Sequence, residues 1–393
     1  MSDIELQVVD PFECKKIVPA LTRAAWLYKF REPRYGWIMS LATHGEPHSG
    51  NLSLGGFRIA PDDRASLSTY SNDAEALGLA IGMEHKIAWA RLIRAGGPLA
   101  VQHLDNIVGG KCVLLPSKGS RVGEPLDSVL LDFSIECFQK FERESGLSFN
   151  TGQDLGHGLL SDGCTYSLDY VHQRYSGCIN TDTSMPTADG NLYMLLGMLK
   201  GLRIDLSQAK VGIIGCGKIG GRILEHLMHL NVDTAILECL PSRRQQLAES
   251  YACQIFSEEE HQKFFEMELD ALVLNTNGGS LTRLTAQTIA NNPRIKLLCG
   301  SENLPFADDS AKQILFDARK LYCPTELGGM FGFLAAAEVF YCSLEDKPFD
   351  MTTVLEATKR LEAVGREVVQ HIVRNNYKID FPTAVKAIYG DQS

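Results

Sequence analysis

Two sets of residues in this 393-residue chain have types and spacings that could do chemistry. In the second half, Val211-Gly-Ile-Ile-Gly-Cys-Gly-Lys-Ile-Gly220 places Gly215, Gly217 and Gly220 in a Gly-x-Gly-x-x-Gly spacing directly after an apolar stretch. In a strand–turn–helix setting, Gly215 allows the tight turn. Gly217 removes a side chain so that backbone N–H groups, those of Lys218 and Ile219 among them, can meet a pyrophosphate, and Gly220 lets helix and strand approach closely. The helix N-terminus adds the positive end of its dipole. Glu238 ends the next apolar stretch, about 20 residues on, where an acid bonds ribose hydroxyls. Its charge would repel the 2′-phosphate of NADP, so NAD is the expected cofactor; Arg243 and Arg244 argue mildly for NADP. The bland alternative is a glycine turn in an unrelated α/β protein. In the first half, Leu54-Gly-Gly-Phe-Arg58, Gly82-Met-Glu-His-Lys86 and Gly109-Gly-Lys111 are glycine-flanked cationic segments, and Thr151-Gly-Gln-Asp-Leu-Gly156 follows them. Taken singly, a lysine after a Gly-Gly turn reads as a solvated loop residue, and Asp154 as an Asx-turn residue.

The elements that must position these residues show in the hydropathy pattern. Strands are expected at 37–43, 52–59, 112–115 and 147–150, with helices at 74–90 and 126–145. A helix over 188–200 precedes a regular alternation: strand 210–215, helix 219–230, strand 234–238, helix 242–251, then apolar strands at 271–274, 296–299 and 320–322. Strands buried on both faces have this composition, because a parallel sheet carries helices above and below. The stretch 352–373 is amphipathic, with Val354, Leu355, Leu361, Val364, Val368 and Ile372 on one side, and is expected to pack back on the first unit. The expected architecture is α/β in two domains. Residues 1–187 form an N-terminal α/β substrate domain to which 341–393 return, and 188–340 form a Rossmann dinucleotide-binding domain, with the active site in the cleft between them.

Composition removes other classes. At roughly 150 residues per domain the length fits two or three domains. The chain is 45% hydrophobic and 22% charged, ample for buried cores. Its net charge of −10 gives nucleic acid and anionic membranes no attraction to exploit. No stretch approaches the ~18 apolar residues of a membrane span, and the first residues lack the pattern of a signal peptide. Eleven cysteines without a Cys-x-x-Cys pair suggest neither a disulfide framework nor a zinc ribbon, so most, such as Cys216, Cys239 and Cys299, are expected to be buried in a cytoplasmic protein. His226 and His229 have ligand-like spacing but no evident third partner, and no metal is expected. His44, His48 and His157 lie near the expected cleft without an assigned role.

The cationic segments, together with Met185-Pro-Thr-Ala-Asp-Gly190, Gly300-Ser-Glu-Asn303 and Leu327-Gly-Gly-Met330, carry a resemblance over about 37–341. The chain resembles the glutamate/leucine/phenylalanine/valine dehydrogenase family of NAD(P)-dependent amino-acid dehydrogenases. The resemblance implies that Lys86 binds the substrate carboxylate, that Lys111 is the catalytic lysine, and that Asp154 shuttles protons to and from the amine. Two ammonium groups in one cleft disfavour each other's charge, so one can act as a base while the other stays an anion clamp. Gly55 and Gly56 fall in the substrate site. Thr187 matches a position at the nicotinamide carboxamide, or else caps its helix, and Asn303 matches one beside the nicotinamide ribose. Leu54 stands where glutamate-specific members have a lysine for the distal carboxylate, which argues against glutamate. Met83, Met330 and Phe333 match the side-chain pocket, and all are apolar, so a neutral aliphatic or aromatic L-amino acid is implied. Two departures stand out: a longer stretch between Lys86 and Lys111, and Glu326 where the family has an asparagine. The expected reaction is NAD-dependent reversible oxidative deamination, in a homo-oligomer whose other partner is the amino acid. The alternatives are a dehydrogenase acting on a related amine or carbonyl, and a non-catalytic NAD-sensing protein.

Overall fold

Lys111 lies inside a strand, and the strands around it decide where its side chain points. The computed structural model describes residues 4–152 and 154–390. Its first unit comprises the described residues up to Ala88 with Gln102–Thr181 and Ala336–Phe349; its second comprises Trp89–Val101, Asp182–Ala335 and the described residues from Asp350.

The first unit is built on a seven-stranded mixed sheet: β1 (Glu5–Val9), β2 (Trp26–Glu32), β3 (Trp37–Thr43), β4 (Leu52–Leu54), β5 (Phe57–Ile59), β6 (Ile107–Leu115) and β7 (Ser148–Asn150). β1, β2, β3 and β6 run antiparallel in that order, while β4 and β5 lie parallel to β6 and β7 lies parallel to β4. Successive side chains of a strand point to opposite faces. Phe57, Ile59, Cys112, Leu114 and Phe149 therefore join Leu130, Phe138 and Phe141 of the helix Asp127–Ser145 in one core. Val113 and Ala42, on the other face, join Ala76, Leu77 and Ala80 of the helix Asn72–Ile93. Lys111 pairs with Ala42 and shares that second face.

The expected strand 52–59 is two strands in the same register against β6, since Leu54 pairs with Gly109 and Phe57 with Cys112. Gly55 and Gly56 interrupt it. A Cβ at Gly55 would sit 1.6 Å from the Gly110 carbonyl oxygen. The expected strand 112–115 begins earlier, at Ile107, so the Gly109-Gly110 pair is strand rather than turn.

The second unit carries six parallel strands: β8 (Lys210–Ile214), β9 (Asp233–Leu237), β10 (Gln254–Phe256), β11 (Ala271–Leu274), β12 (Leu297–Gly300) and β13 (Leu321–Tyr322), ordered β10-β9-β8-β11-β12-β13. The order reverses between β8 and β11, the switch point at which open α/β sheets of this kind hold dinucleotides.

The C-terminal stretch corrects the expectation that it returns to the first unit. It forms the helices Met351–Thr358 and Arg360–Arg374, and the second packs on the helix Ser184–Gly201. Small residues allow this: a Cβ at Gly197 would lie 2.1 Å from the Glu362 carbonyl oxygen, and one at Gly365 2.8 Å from that of Met194. Such close contact gives the apolar stripe Leu361, Val364, Val368 and Ile372 a partner within the second unit. All cysteines are free thiols; Cys216 and Cys299 are buried, whereas Cys239 is exposed. Among the described residues no helix is long and apolar enough to cross a membrane, and no three His, Cys, Asp or Glu residues cluster as a metal site.

Candidate active site

The lysine site in the first unit starts from glycines. Gly109 brings β6 so close to the helix Asn72–Ile93 that a Cβ there would lie 2.6 Å from the Glu84 amide nitrogen and 2.7 Å from the Ala80 carbonyl oxygen. The Gly109 N–H donates to Glu84 Oε2 at 2.8 Å, and Arg23 pairs with the other oxygen of that buried carboxylate. A Cβ at Gly110 would collide with Ser53 Oγ. Helix and strands thus close on β6 just before Lys111.

Lys111 is 2% exposed, and its Nζ lies 2.6 Å from Asp154 Oδ2. The same carboxylate accepts from Arg58, through Nε at 2.8 Å to Oδ2 and Nη2 at 3.3 Å to Oδ1. Arg58 Nη1 donates to Glu75 Oε1 at 2.6 Å, and the Tyr70 hydroxyl donates to Glu75 Oε2 at 2.7 Å. Burial by itself would raise the Asp154 carboxyl; the adjacent Arg58 and Lys111 cations outweigh it and hold the group well below the usual carboxylate range. His157, engaged with the Phe57 carbonyl at 2.9 Å and with Ser167 Oγ at 3.2 Å, is lowered by burial.

Leu54 and Asn150 are register partners on parallel strands, and Leu54 pairs in turn with Gly109, two residues before Lys111. Strand alternation therefore puts Leu54, Asn150 and Lys111 on one sheet face. Met83 and Lys86, both buried, lie one turn apart on the helix Asn72–Ile93 packed on that face. Met330 and Phe333 are also buried, in the helix Met330–Leu344 at residues belonging to the second unit. Sequence reasoning assigned no role to Arg58 or Asn150. A charged residue between Phe57 and Ile59 in an apolar strand was the available signal for Arg58. Asn150 is 4% exposed, and no hydrogen bond from the described residues reaches its Oδ1.

In the second unit the fingerprint sits where the spacing puts it, between β8 and the helix Lys218–His229. Gly215 has φ +81°, and a Cβ there would lie 2.7 Å from the Asn275 carbonyl oxygen. A Cβ at Gly220 would meet the Gly215 carbonyl oxygen at 2.2 Å, while one at Gly217 would meet nothing within 4 Å. No side chain caps the helix. Lys218 and Ile219 thus open a helix whose first N–H groups face an unobstructed glycine, the cradle a pyrophosphate requires. Glu238, at the end of β9, accepts from the Cys216 N–H at 2.8 Å and the Leu240 N–H at 3.0 Å. Arg243 Nε donates to the Cys216 carbonyl, and Arg244 Nη1 to the carbonyls of Glu238 and Cys239. These residues fit a nicotinamide dinucleotide.

Thr187 lies one turn into the helix Ser184–Gly201 rather than capping it, and its hydroxyl donates to the Thr183 carbonyl at 2.7 Å. Asn303 is half-buried after β12. Beside it the buried Glu302 accepts from the Ser280 N–H at 2.9 Å and hydroxyl at 2.6 Å, tying together the loops that follow β11 and β12. Glu326, half-buried in the short helix Thr325–Gly328, adds its charge to the burial that raises Tyr322. His226 Nε2 lies 3.4 Å from Asp189, which Arg222 holds through two bonds of 2.7 and 3.0 Å.

Known proteins resemble the chain in sequence and in fold. No family model matches the chain. A phenylalanine dehydrogenase of Bacillus thermotolerans is 26% identical over 334 residues, covering 80% of this chain and 77% of that protein. A valine dehydrogenase of Streptomyces albus is 23% identical over 303 residues, covering 73% of this chain and 72% of that protein. The crystal structure of L-tryptophan dehydrogenase from Nostoc punctiforme superposes with a TM-score of 0.60 at 15% identity, over 93% of this chain and 95% of that one. Fold and sequence together relate the chain to two-domain amino-acid dehydrogenases, oxidoreductases that act on CH–NH2 donors with a nicotinamide cofactor. The similarity is to members of the glutamate/leucine/phenylalanine/valine dehydrogenase family and extends over most of the chain.

Proposed function

We propose that the protein catalyses the NAD-dependent reversible oxidative deamination of a neutral hydrophobic L-amino acid to its 2-oxo acid and ammonia. The observation that carries this reading is the buried contact of Lys111 with Asp154 on the sheet face that also bears Leu54. Arg58, Lys111, Asp154 and Glu75 carry formal charges that cancel while Lys111 is an ammonium. Once Lys111 gives up its proton the group holds a net negative charge, which suits a reacting carbon that has become a positively charged iminium. Lys111 then takes a proton from the attacking water, and Lys86 holds the substrate carboxylate. The bound nicotinamide supplies the hydride acceptor. The Gly55 and Gly56 backbone borders the substrate, and Leu54, Met83, Met330 and Phe333 favour an apolar side chain. A distal carboxylate would find no cation at position 54.

Gly215, Gly217, Lys218, Ile219 and Gly220 hold the pyrophosphate, Glu238 the adenosine ribose, and Thr187 and Asn303 the nicotinamide end. NAD is favoured over NADP because Glu238 stands at the ribose position and both neighbouring arginines already donate to backbone carbonyls. The test is turnover with NAD or NADP across a panel of amino acids, and in reverse with ammonia and 2-oxo acids. Highest kcat/KM for an aliphatic or aromatic amino acid with NAD is expected. Preference for glutamate, or turnover without ammonia exchange, would overturn the reading. Size-exclusion chromatography with light scattering tests the proposed homo-oligomer.

A further inference from the structure

Three neighbouring strands of the second unit end in one row. Ile214 of β8, Leu274 of β11 and Gly300 of β12 are register partners, so Gly215, Asn275 and Ser301 are the first residues beyond the sheet, side by side at its carboxyl edge. That edge is where sheets of this kind hold a dinucleotide. Gly215 opens the turn that cradles the pyrophosphate, and Glu238 at the end of β9 marks the adenosine side, so the other half of the molecule must run over β11 and β12. Asn275 stands where that half begins.

The Asn275 side chain is held in one orientation. Its N–H donates to the Ile214 carbonyl at 2.8 Å, its own carbonyl backs onto Gly215, and its Oδ1 accepts from Ser301 Oγ at 2.9 Å. Ser301 is fixed in turn through its N–H, which donates to the Leu274 carbonyl at 3.0 Å. The loops after the two strands are joined further on, by the Gly279 N–H on the Leu304 carbonyl at 2.9 Å and by Glu302 on Ser280. With Oδ1 committed to Ser301, the buried Nδ2 is left with no hydrogen-bond partner among the described residues. Buried amides are nearly always paired, so a lone one beside a dinucleotide cradle points to an acceptor on the ligand.

We propose that Asn275 is a further cofactor-binding residue, whose side-chain amide hydrogen-bonds a hydroxyl of the nicotinamide-side ribose. This rests on the reading of the second unit as the site of NAD. The pyrophosphate is the poorer match, because the glycine turn and the helix N-terminus already supply its donors. A ribose hydroxyl both accepts and donates, which suits an amide. Asn303, two residues beyond Ser301, is expected beside the same ribose, and the two amides would flank it.

The test is isothermal titration of the full-length protein with ADP, ADP-ribose and NAD. ADP ends at the pyrophosphate, whereas ADP-ribose adds the distal ribose without the nicotinamide. Asn275→Ala should weaken ADP-ribose and NAD by about 5- to 10-fold, the usual worth of one neutral hydrogen bond, and leave ADP within about twofold. Ser301→Ala keeps the amide and frees its orientation, so ADP-ribose should weaken by about threefold with ADP unmoved. Equal weakening of ADP and ADP-ribose in Asn275→Ala, the mark of a merely structural role, overturns the proposal, as does unchanged affinity for ADP-ribose. If Asn275→Ala does not fold, Ser301→Ala decides by the same comparison. An unsubstituted protein that binds none of these ligands would sink the nucleotide reading and this proposal with it. Intact ADP binding with no selective loss of ADP-ribose sinks the Asn275 assignment alone, so the two failures are distinguishable.

Discussion

Lys111 differs from an ordinary surface lysine through its neighbours. It sits buried on a strand with Asp154 as counter-ion, so truncating it removes both a base and half of a buried pair. Lys111→Ala is expected to lower kcat by about 10²- to 10⁴-fold, the usual contribution of a positioned acid or base, with circular dichroism checking that the fold persists. A second residue makes stability depend on pH. His44 is buried, and burial lowers it to about 4 despite its bond to the Ala24 carbonyl; Arg23 and His85 push the same way as burial. An unfolded chain would protonate this histidine near pH 6.5, about where a free imidazole titrates. Between those two values the unfolded state binds the extra proton, so stability is full above about pH 6.5 and falls as pH drops toward 4. The loss is about 3 kcal/mol when the window has been crossed. Urea unfolding at a series of pH values should show that slope, and His44→Phe should flatten it. Asp154 contributes nothing there, because its depressed titration places its loss at more acidic pH.

Glycines set the distances between elements, and they divide into two kinds. Gly55, Gly109 and Gly220 exist because something presses on them: Gly55→Ala would drive a methyl into the Gly110 carbonyl. It is expected to cost several kcal/mol, beyond the ~1–3 kcal/mol of ordinary overpacking, and to appear as a large fall in Tm. Gly217 is open, so Gly217→Val should leave the Tm of the cofactor-free protein nearly unchanged while weakening nucleotide binding by tenfold or more, about 1.4 kcal/mol. Isothermal titration with NAD and thermal melts of both variants would separate clash from lost cradle. Equal destabilisation of the two would contradict this division. The fingerprint glycines were legible in the sequence, since a strand, a turn and a helix lie within one short stretch. Gly109 and Gly110 were legible only as a turn, because nothing local reveals that a helix from 25 residues earlier, at Glu84, needs their missing side chains.

At the scale of the whole molecule, nucleotide binding should stabilise the second unit, whose six-stranded sheet ends at the Gly215–Gly220 turn and Glu238. At a ligand concentration about 100 times its Kd the gain is about 2.7 kcal/mol. Differential scanning fluorimetry should register a larger upward shift with NAD than with NADP; the reverse order would overturn the assignment of Glu238. The alternation of apolar strands and helices, the glycine spacing and the acid after β9 are short-range patterns, so the amino-acid sequence alone determined the α/β class, the nucleotide turn and the residues that carry the family resemblance. Tertiary structure decided the rest. The partner of the helix Arg360–Arg374 depends on Gly197 and Gly365, which lie far apart in the chain, and one amphipathic stripe fits any apolar surface until such close contacts choose among them. The Arg58–Asp154–Lys111 set draws on three separate segments, and strand register brings it to one face. Period-two alternation predicts a face within a strand; pairing between strands, which no local pattern encodes, determines which side chains share it.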